Sequence, residues 1–266
     1  MSHRRAFTAI VLAGDRAPDD PVARAAGVEC KALVPVGGVP MVLRVLGALA
    51  EAQAIGHRIL CGPDRRAVEM NNELRGLIAS GAVTWHEAHA TPSVSAYTVI
   101  QSLPQDQPVL LVTADHALLN VRIIDHFCSV ARAHDADVVV GLATYDLIAT
   151  AYPGMRRTVL KFQDGGVCGC NMYAVLTARG RALIQFWTQV EGLRKRPVRL
   201  ISMLGWVSVL RFVCGWLSLP QALARLSQRL NLSIDVIMLP FPEAALDVDT
   251  IGDWKLAQTI AGNKGS

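Results

Sequence analysis

Residues 6–44 read AFTAIVLAGDRAPDDPVARAAGVECKALVPVGGVPMVLR, and this stretch decides the fold. Phe7 to Ala13 is apolar and β-prone and breaks into a turn at Gly14, the pattern of a buried parallel strand opening into a loop. Open α/β sheets bind ligands past the carboxyl ends of their strands, where such a loop leaves backbone N–H groups pointing outward, so a phosphate fits there. Lys31 leaves the loop and precedes a second apolar run, Ala32 to Val36, a Gly37-Gly38 turn and an amphipathic helix from about Pro40. A cation on that path meets the phosphates held by the amides.

Working outward, strands and helices alternate. A helix over 40–53 is followed by a strand at 57–61, a helix over 64–78, a strand at 83–87 and a helix from Thr91-Pro92-Ser93 to about Leu103, with Thr91 as cap and Pro92 at the first helical position. Pro108 to Thr113 is apolar throughout and reads as a central strand ending at Ala114-Asp115. An Asp at the carboxyl end of such a strand points into the crevice, where metal or phosphate chemistry takes place. A helix over 121–134 and a strand over 137–143 follow. Two β-like runs, 158–162 and 167–175, joined by Asp164-Gly165-Gly166, predict a hairpin. The remainder predicts a helix over 178–191, a strand over 234–239, a short edge over 244–248 and a last helix, capped by Asp249 or Thr250, to about Ile260. The whole is a three-layer α/β/α fold with a mostly parallel, Rossmann-like sheet.

Two more groups of side chains stand out. Asp247 and Asp249 are two residues apart, so an extended backbone turns both carboxylates to one side. Arg156, Arg157 and Lys161 would clamp a phosphorylated acceptor, because guanidinium donors match phosphate oxygens; a plain solvated surface explains them equally well.

Leu12-Ala13-Gly14, Lys31 and Gly37-Gly38-Val39-Pro40-Met41 together resemble the signature of nucleotidyltransferases with a MobA-like NTP transferase domain, relatives of the sugar-phosphate and molybdenum-cofactor nucleotidyltransferases. The likeness returns at Thr113-Ala114-Asp115 and at Asp247-Val248-Asp249-Thr250, so it spans nearly the whole chain. It implies the three-layer nucleotide-diphospho-sugar transferase fold and transfer of a nucleotidyl group from an NTP to a small phosphorylated acceptor with release of pyrophosphate. By the same resemblance Leu12, Ala13, Gly14, Asp15, Ser93 and Ser95 bind the nucleotide, Lys31 and Arg16 act on its phosphates, and Asp115, Asp247 and Asp249 hold Mg²⁺. Asn171 looks like the asparagine that relatives use beside the acceptor, in a region that shapes the acceptor pocket in relatives and here also carries Arg156, Arg157 and Lys161. A phosphate monoester is largely dianionic at neutral pH, its second pKa being about 6, so the attack needs no general base. This chain departs from the pattern in carrying Asp15 where many relatives have a second Gly, Pro18, Asp19 and Asp20 where they have an Arg, and Cys30 where they have Pro before the lysine.

Composition bounds the rest. The net charge of +4 is too small and too scattered to suggest nucleic acid. The six cysteines, at 30, 61, 128, 168, 170 and 214, form no CxxC pair and have no His at metal-ligand spacing, so ordinary reduced, mostly buried thiols are expected in a cytoplasmic protein. No signal peptide is apparent. A mean hydropathy of +0.32 is high and draws attention to 194–219, RKRPVRLISMLGWVSVLRFVCGWLSL. This stretch nears membrane-spanning length but is broken by Gly205, Arg211 and serines. It admits a transmembrane helix, an amphipathic hairpin lying peripherally on the inner face of a membrane behind Arg194-Lys195-Arg196, or helices packed on the sheet or between subunits of a homo-oligomer. Without repeats or a Pro/Ser-rich linker, the chain is expected to form one domain, 1–266, with a helical insertion near 194–230.

Two other functions fit parts of this pattern. Asp247-Val248-Asp249 is a D-x-D motif of the kind used by metal-dependent glycosyltransferases, and the acidic residues after Gly14 suit a non-catalytic nucleotide-binding regulator. The LAG…K opening and the C-terminal place of D-x-D favour the nucleotidyltransferase; CTP is the expected NTP.

Overall fold

Every residue of the first strand, β1 (Phe7–Leu12), is buried. The computed structural model describes residues 5–15, 19–155, 157–190, 212 and 214–263. After β1 come β2 (Pro35–Val36), β3 (Val39–Pro40), β4 (Ile55–Cys61), β5 (Thr84–His86), β6 (Val109–Thr113), β7 (Val138–Thr144), β8 (Leu160–Phe162), β9 (Gly165–Val175) and β10 (Ile234–Met238). The helices are α1 (Pro21–Ala26), α2 (Met41–Glu51), α3 (Arg65–Met70), α4 (Asn72–Ala79), α5 (Pro92–Ser102), α6 (Val121–Ala131), α7 (Tyr145–Ala151), α8 (Arg181–Val190), α9 (Leu219–Leu230) and α10 (Ile251–Asn263).

Alternate residues of β1 point to opposite faces, as a strand requires. Phe7, Ala9 and Val11 join Leu46 and Leu49 of α2 and Ile123 and Phe127 of α6 on one face; Ile10 and Leu12 join Val99 and Ile100 of α5 and Ile184 of α8 on the other. Each large apolar side chain so buried contributes about 1.5–3 kcal/mol relative to exposure. The main sheet has the order β10-β7-β9-β6-β1-β4-β5, with β8 added on β9. The pairs β1–β4, β1–β6, β4–β5 and β7–β10 are parallel, while β9 runs against both β6 and β7. The three-layer, mostly parallel α/β architecture expected from the sequence is therefore present. From β1 the chain builds outward through β4 and β5, then returns to lay β6 on the other side of β1. The crevice between the carboxyl ends of β1 and β6 is thus a topological switch point, where open α/β sheets bind ligands.

Several local expectations are corrected. The single helix over 64–78 is two, because Asn71 takes an extended backbone (φ −102°, ψ 106°) and its side chain caps α4 by accepting from the Leu74 amide. The edge over 244–248 is a 3₁₀ turn, Pro242–Ala245, and an extended tail: Pro242 offers no N–H to a ladder, and the Leu246 amide closes the turn onto Glu243 O. Pro40 precedes α2 as its cap rather than starting it. The predicted hairpin forms, with Phe162 opposite Gly165, so Gln163-Asp164 make the bend. All six cysteines are free, and Cys214 alone of them is exposed.

Residues 191–211 and 213 lie outside the described residues, and with them most of 194–219, the stretch expected to meet a membrane, a second subunit or the sheet. The end of the expected insertion, α9, is a helix started by a capping box between Ser218 and Gln221. Among the described residues no helix is long and apolar enough to cross a membrane.

Candidate active site

A cleft of about 320 Å³ opens over the carboxyl ends of β1 and β6, walled by Gly14, Asp15, Lys31, Pro92, Asp115 and Asp249. Leu12 and Ala13 form its floor as continuations of the sheet. The Ala13 amide donates to Cys61 O at 2.8 Å and the Ala114 amide to Leu12 O at 2.9 Å. Ala13's N–H is therefore held in the ladder to β4 and does not face a ligand; the loop proper begins at Gly14. Gly14 packs against Ala88, where a β-carbon would stand 2.8 Å from the Ala88 methyl. Only glycine lets the two segments come this close.

A salt-bridged centre occupies the cleft. The Lys31 ammonium lies 2.7 Å from Asp115 Oδ2 and 2.8 Å from Asp249 Oδ1, and the Lys31 and Asp115 side chains are only 16% and 14% exposed. Burial by itself lowers the Lys31 pKa, but the two carboxylates outweigh it and hold the ammonium well above its ordinary value. The backbone of Lys31 is pinned as well: its amide donates to Asp15 Oδ1 at 3.0 Å as the chain enters a 3₁₀ turn, Lys31–Leu33. Burial pushes the Asp15 carboxyl up, against that hydrogen bond. Two acidic residues of the loop thus have structural partners. Asp15 ties the loop to Lys31, and Asp20 caps α1 by accepting from the Val22 and Ala23 amides.

Asp247 and Asp249 both reach this centre but serve different partners. Thr250 caps α10 by pairing reciprocally with Asp253, so neither acid is a helix cap. Asp249 meets Lys31. Asp247 is gripped by Arg157, whose guanidinium donates to its Oδ1 and its backbone carbonyl, and by Asn171, whose Nδ2 donates to Oδ2 at 2.9 Å. Burial and the charges of Asp115 and Asp249 push the Asp247 carboxyl up while Arg157 pulls it down. Asn171 reaches it from a bulge in β9: pairing jumps from Val140 opposite Tyr173 to Leu142 opposite Gly169, and Asn171 takes a left-handed backbone at φ 49°. Such a bulge re-aims one side chain of a strand.

The remaining expected residues are placed less directly. Ser93 and Ser95 are buried beneath the cleft. Ser95 Oγ accepts from the His89 amide and donates to Thr91 O, and Ser93 Oγ lies 3.0 Å from Thr91 Oγ1, so both shape the turn that carries Pro92 to the wall. Lys161 is exposed on β8. Arg16 and Arg156 lie outside the described residues.

Four buried side-chain atoms have no hydrogen-bond partner among the described residues: Thr113 Oγ1, Asp115 Oδ1, His116 Nδ1 and Arg157 Nε. Three belong to the carboxyl end of β6 and the fourth to the Asp247 pair. An unmet buried polar group costs about 1–3 kcal/mol, so such a cluster marks a place built for a ligand. His116, 1% exposed and held neutral by burial with its pKa near 4, escaped the sequence reading. Beyond its place next to Asp115 it carries no motif.

The donor set suits Mg²⁺. Asp115 offers a buried carboxylate oxygen without a hydrogen-bond partner among the described residues, and Asp249, which shares Lys31 with it, offers a second hard carboxylate. Among the described residues no group of three His, Cys, Asp or Glu side chains forms a metal cage. Mg²⁺ asks for none, since it is commonly bound by one or two carboxylates and completed by water and substrate phosphates.

Comparison with known proteins shows the family and the fold. The MobA-like NTP transferase domain matches residues 9–162. A structure described as a hypothetical transferase from Thermus thermophilus is 26% identical, with a TM-score of 0.76, covering 94% of this chain and 100% of its own. A CMP:2-keto-3-deoxy-manno-octonic acid synthetase complexed with CTP shares the fold at a TM-score of 0.60 and 11% identity, covering 97% of this chain and 100% of its own. A 2-C-methyl-D-erythritol 4-phosphate cytidylyltransferase from Thermus thermophilus does so at 0.54 and 15%, covering 97% and 98%. Comparison with curated proteins gave no match.

Proposed function

Since the chain belongs to the MobA-like NTP transferase domain family and is a nucleotidyltransferase, we propose that it joins CTP to a small phosphorylated alcohol, sugar or cofactor precursor with Mg²⁺, releasing pyrophosphate. The observation that carries this reading is Lys31 set between Asp115 and Asp249 at the switch point of the sheet. The preference for CTP is supported by the two fold relatives that act as cytidylyltransferases or were captured with CTP. The compartment we propose is the cytoplasm, and the unit one domain.

The acceptor phosphate attacks the α-phosphorus of the NTP in line, forming a P–O bond as the bond to pyrophosphate breaks. No proton need be removed from a phosphate that is already dianionic, so the work of the protein is alignment and neutralisation of charge. The amides of Gly14 and Asp15 hold the triphosphate, and Lys31 places its charge where the leaving pyrophosphate gains it. Asp115 and Asp249 would hold Mg²⁺, which would supply charge neutralisation and Lewis-acid polarisation at the phosphates. Asp247 keeps Arg157 in place on the acceptor side, and Asn171 keeps Asp247 in place. The D-x-D pair is thus divided between two tasks, unlike the joint metal chelate a glycosyltransferase would need.

Pyrophosphate release tests the proposal. Wild-type protein with Mg²⁺, each of the four NTPs and a panel of phosphorylated alcohols, sugars and cofactor precursors should release pyrophosphate with one NTP and one acceptor. Asp115→Ala should not. NTP binding without release over the whole panel would favour the regulatory reading.

A further inference from the structure

The ammonium of Lys31 and a divalent cation have the same two carboxylates available to them. Asp115 Oδ2 and Asp249 Oδ1 both touch Lys31 Nζ, at 2.7 and 2.8 Å. A Mg²⁺ ion requires oxygens at about 2.0–2.1 Å, so an ammonium lying between Asp115 Oδ2 and Asp249 Oδ1 keeps it from those two atoms, and its charge opposes a second cation at Asp115 Oδ1, the oxygen without a hydrogen-bond partner among the described residues. The backbone of Lys31 is fixed by Asp15, but its four-carbon stem lets the head swing without moving the chain. Among the described residues no third acidic, His or Cys ligand helps the metal to win. Triphosphate oxygens change the balance twice over, by supplying ligands to the metal and a new anionic partner to the ammonium.

We propose that Lys31 guards the metal site against loading without substrate: it competes with the divalent ion for Asp115 and Asp249 until nucleotide phosphates draw the ammonium away. This rests on reading those two acids as the metal ligands. Lys31 therefore has two states, one bridging the carboxylates and one on the phosphates, and metal and nucleotide favour each other's binding through the exchange.

The test is Mn²⁺ binding, followed by calorimetry and water proton relaxation, to wild type, Lys31→Met and Lys31→Gln without nucleotide. Removing the ammonium should tighten Mn²⁺ binding by about tenfold or more, since a close positive charge is lost from the site. Mn²⁺ should also raise the melting temperature of both variants more than that of wild type, a readout that needs no turnover. Asp115→Asn in the Lys31→Met background should abolish the gain. A parallel series with wild type and an α,β-methylene CTP separates the two levels of the argument. If the variants bind Mn²⁺ no more tightly than wild type while the nucleotide still recruits it, the exchange is overturned and the metal reading stands. If no protein binds Mn²⁺ with or without the nucleotide, the metal reading itself falls and the exchange with it.

Discussion

A β-carbon on Gly62 would stand 2.9 Å from the Gly14 nitrogen and 3.0 Å from the Ala13 carbonyl carbon. Gly62 also holds φ at 80° and donates its amide to His86 O at 2.8 Å, so the end of β4 is pressed against the loop that follows β1. Backbone, not a flexible side chain, occupies the space. Gly62→Ala should therefore move the Gly14 loop, weaken NTP binding in calorimetry and cost about 1–3 kcal/mol in stability. Gly81→Ala makes the control: φ is 74° there with open space around it, so stability should fall while nucleotide affinity stays unchanged.

Turnover should depend on the charged centre far more than stability does. If Lys31 and Asp249 act as proposed on the phosphates and their metal, Lys31→Ala and Asp249→Asn should each lower kcat by about 100-fold or more. Circular dichroism should show both still folded. Wild-type turnover in purified Lys31→Ala would remove the catalytic role.

Asn171 separates backbone strain from hydrogen bonding. Asn171→Gly keeps the left-handed backbone and loses the bond to Asp247; Asn171→Ala loses both. Both should raise KM for the acceptor, while Ala should be less stable than Gly by about 1 kcal/mol in denaturant titration. Equal stability of the two would mean that the bulge relaxes without cost.

Away from the cleft, Asp137 sets an acid limit. Burial alone would raise its carboxyl, but the Thr177 hydroxyl, the Ser233 amide and Arg179 outweigh it and hold the carboxyl below the ordinary range. A carboxyl lowered on folding contributes stability that is complete above its unfolded pKa of about 3.9 and is lost as pH falls through the lower folded value. Asp137→Asn should cost about 1–3 kcal/mol at pH 7 and flatten the fall in stability below about pH 4 in urea titrations. An unchanged acid limb would show that other carboxylates dominate it.

Where burial is complete the sequence was easy to read. Phe7–Leu12 and Val109–Thr113 are apolar on both faces, and their order, spacing and terminal Gly14 and Asp115 point to one crevice. Helix α1 went unnoticed although its signals are local: Asp20 as cap, Pro21 at the first position and Gly27 in the left-handed C-terminal position. Other features depend on partners far along the chain. Nothing near Asp247 tells that Arg157, ninety residues earlier, will claim it and leave Lys31 to Asp249. Nor does β9 declare in its own residues that it will lie antiparallel between β6 and β7, since strand order is settled by packing of the whole sheet.

That strand leaves the protein with a hairpin of adjustable length. Pairing of β9 with β6 ends at Leu111 opposite Tyr173; beyond that point its strand partners are β7 and β8, and the β8–β9 bend is tied to the start of α9, Gln163 donating its amide to Leu217 O and Asp164 accepting from the Leu219 amide. Insertions or deletions at the β8–β9 bend made symmetrically in both strands, two residues at a time, would change the length of the hairpin by about 6.6 Å while keeping each side chain on its own face. The strands β1, β4 and β6 do not pair with β8 and would not feel the change. The length of that hairpin can thus vary without redesigning the floor of the cleft.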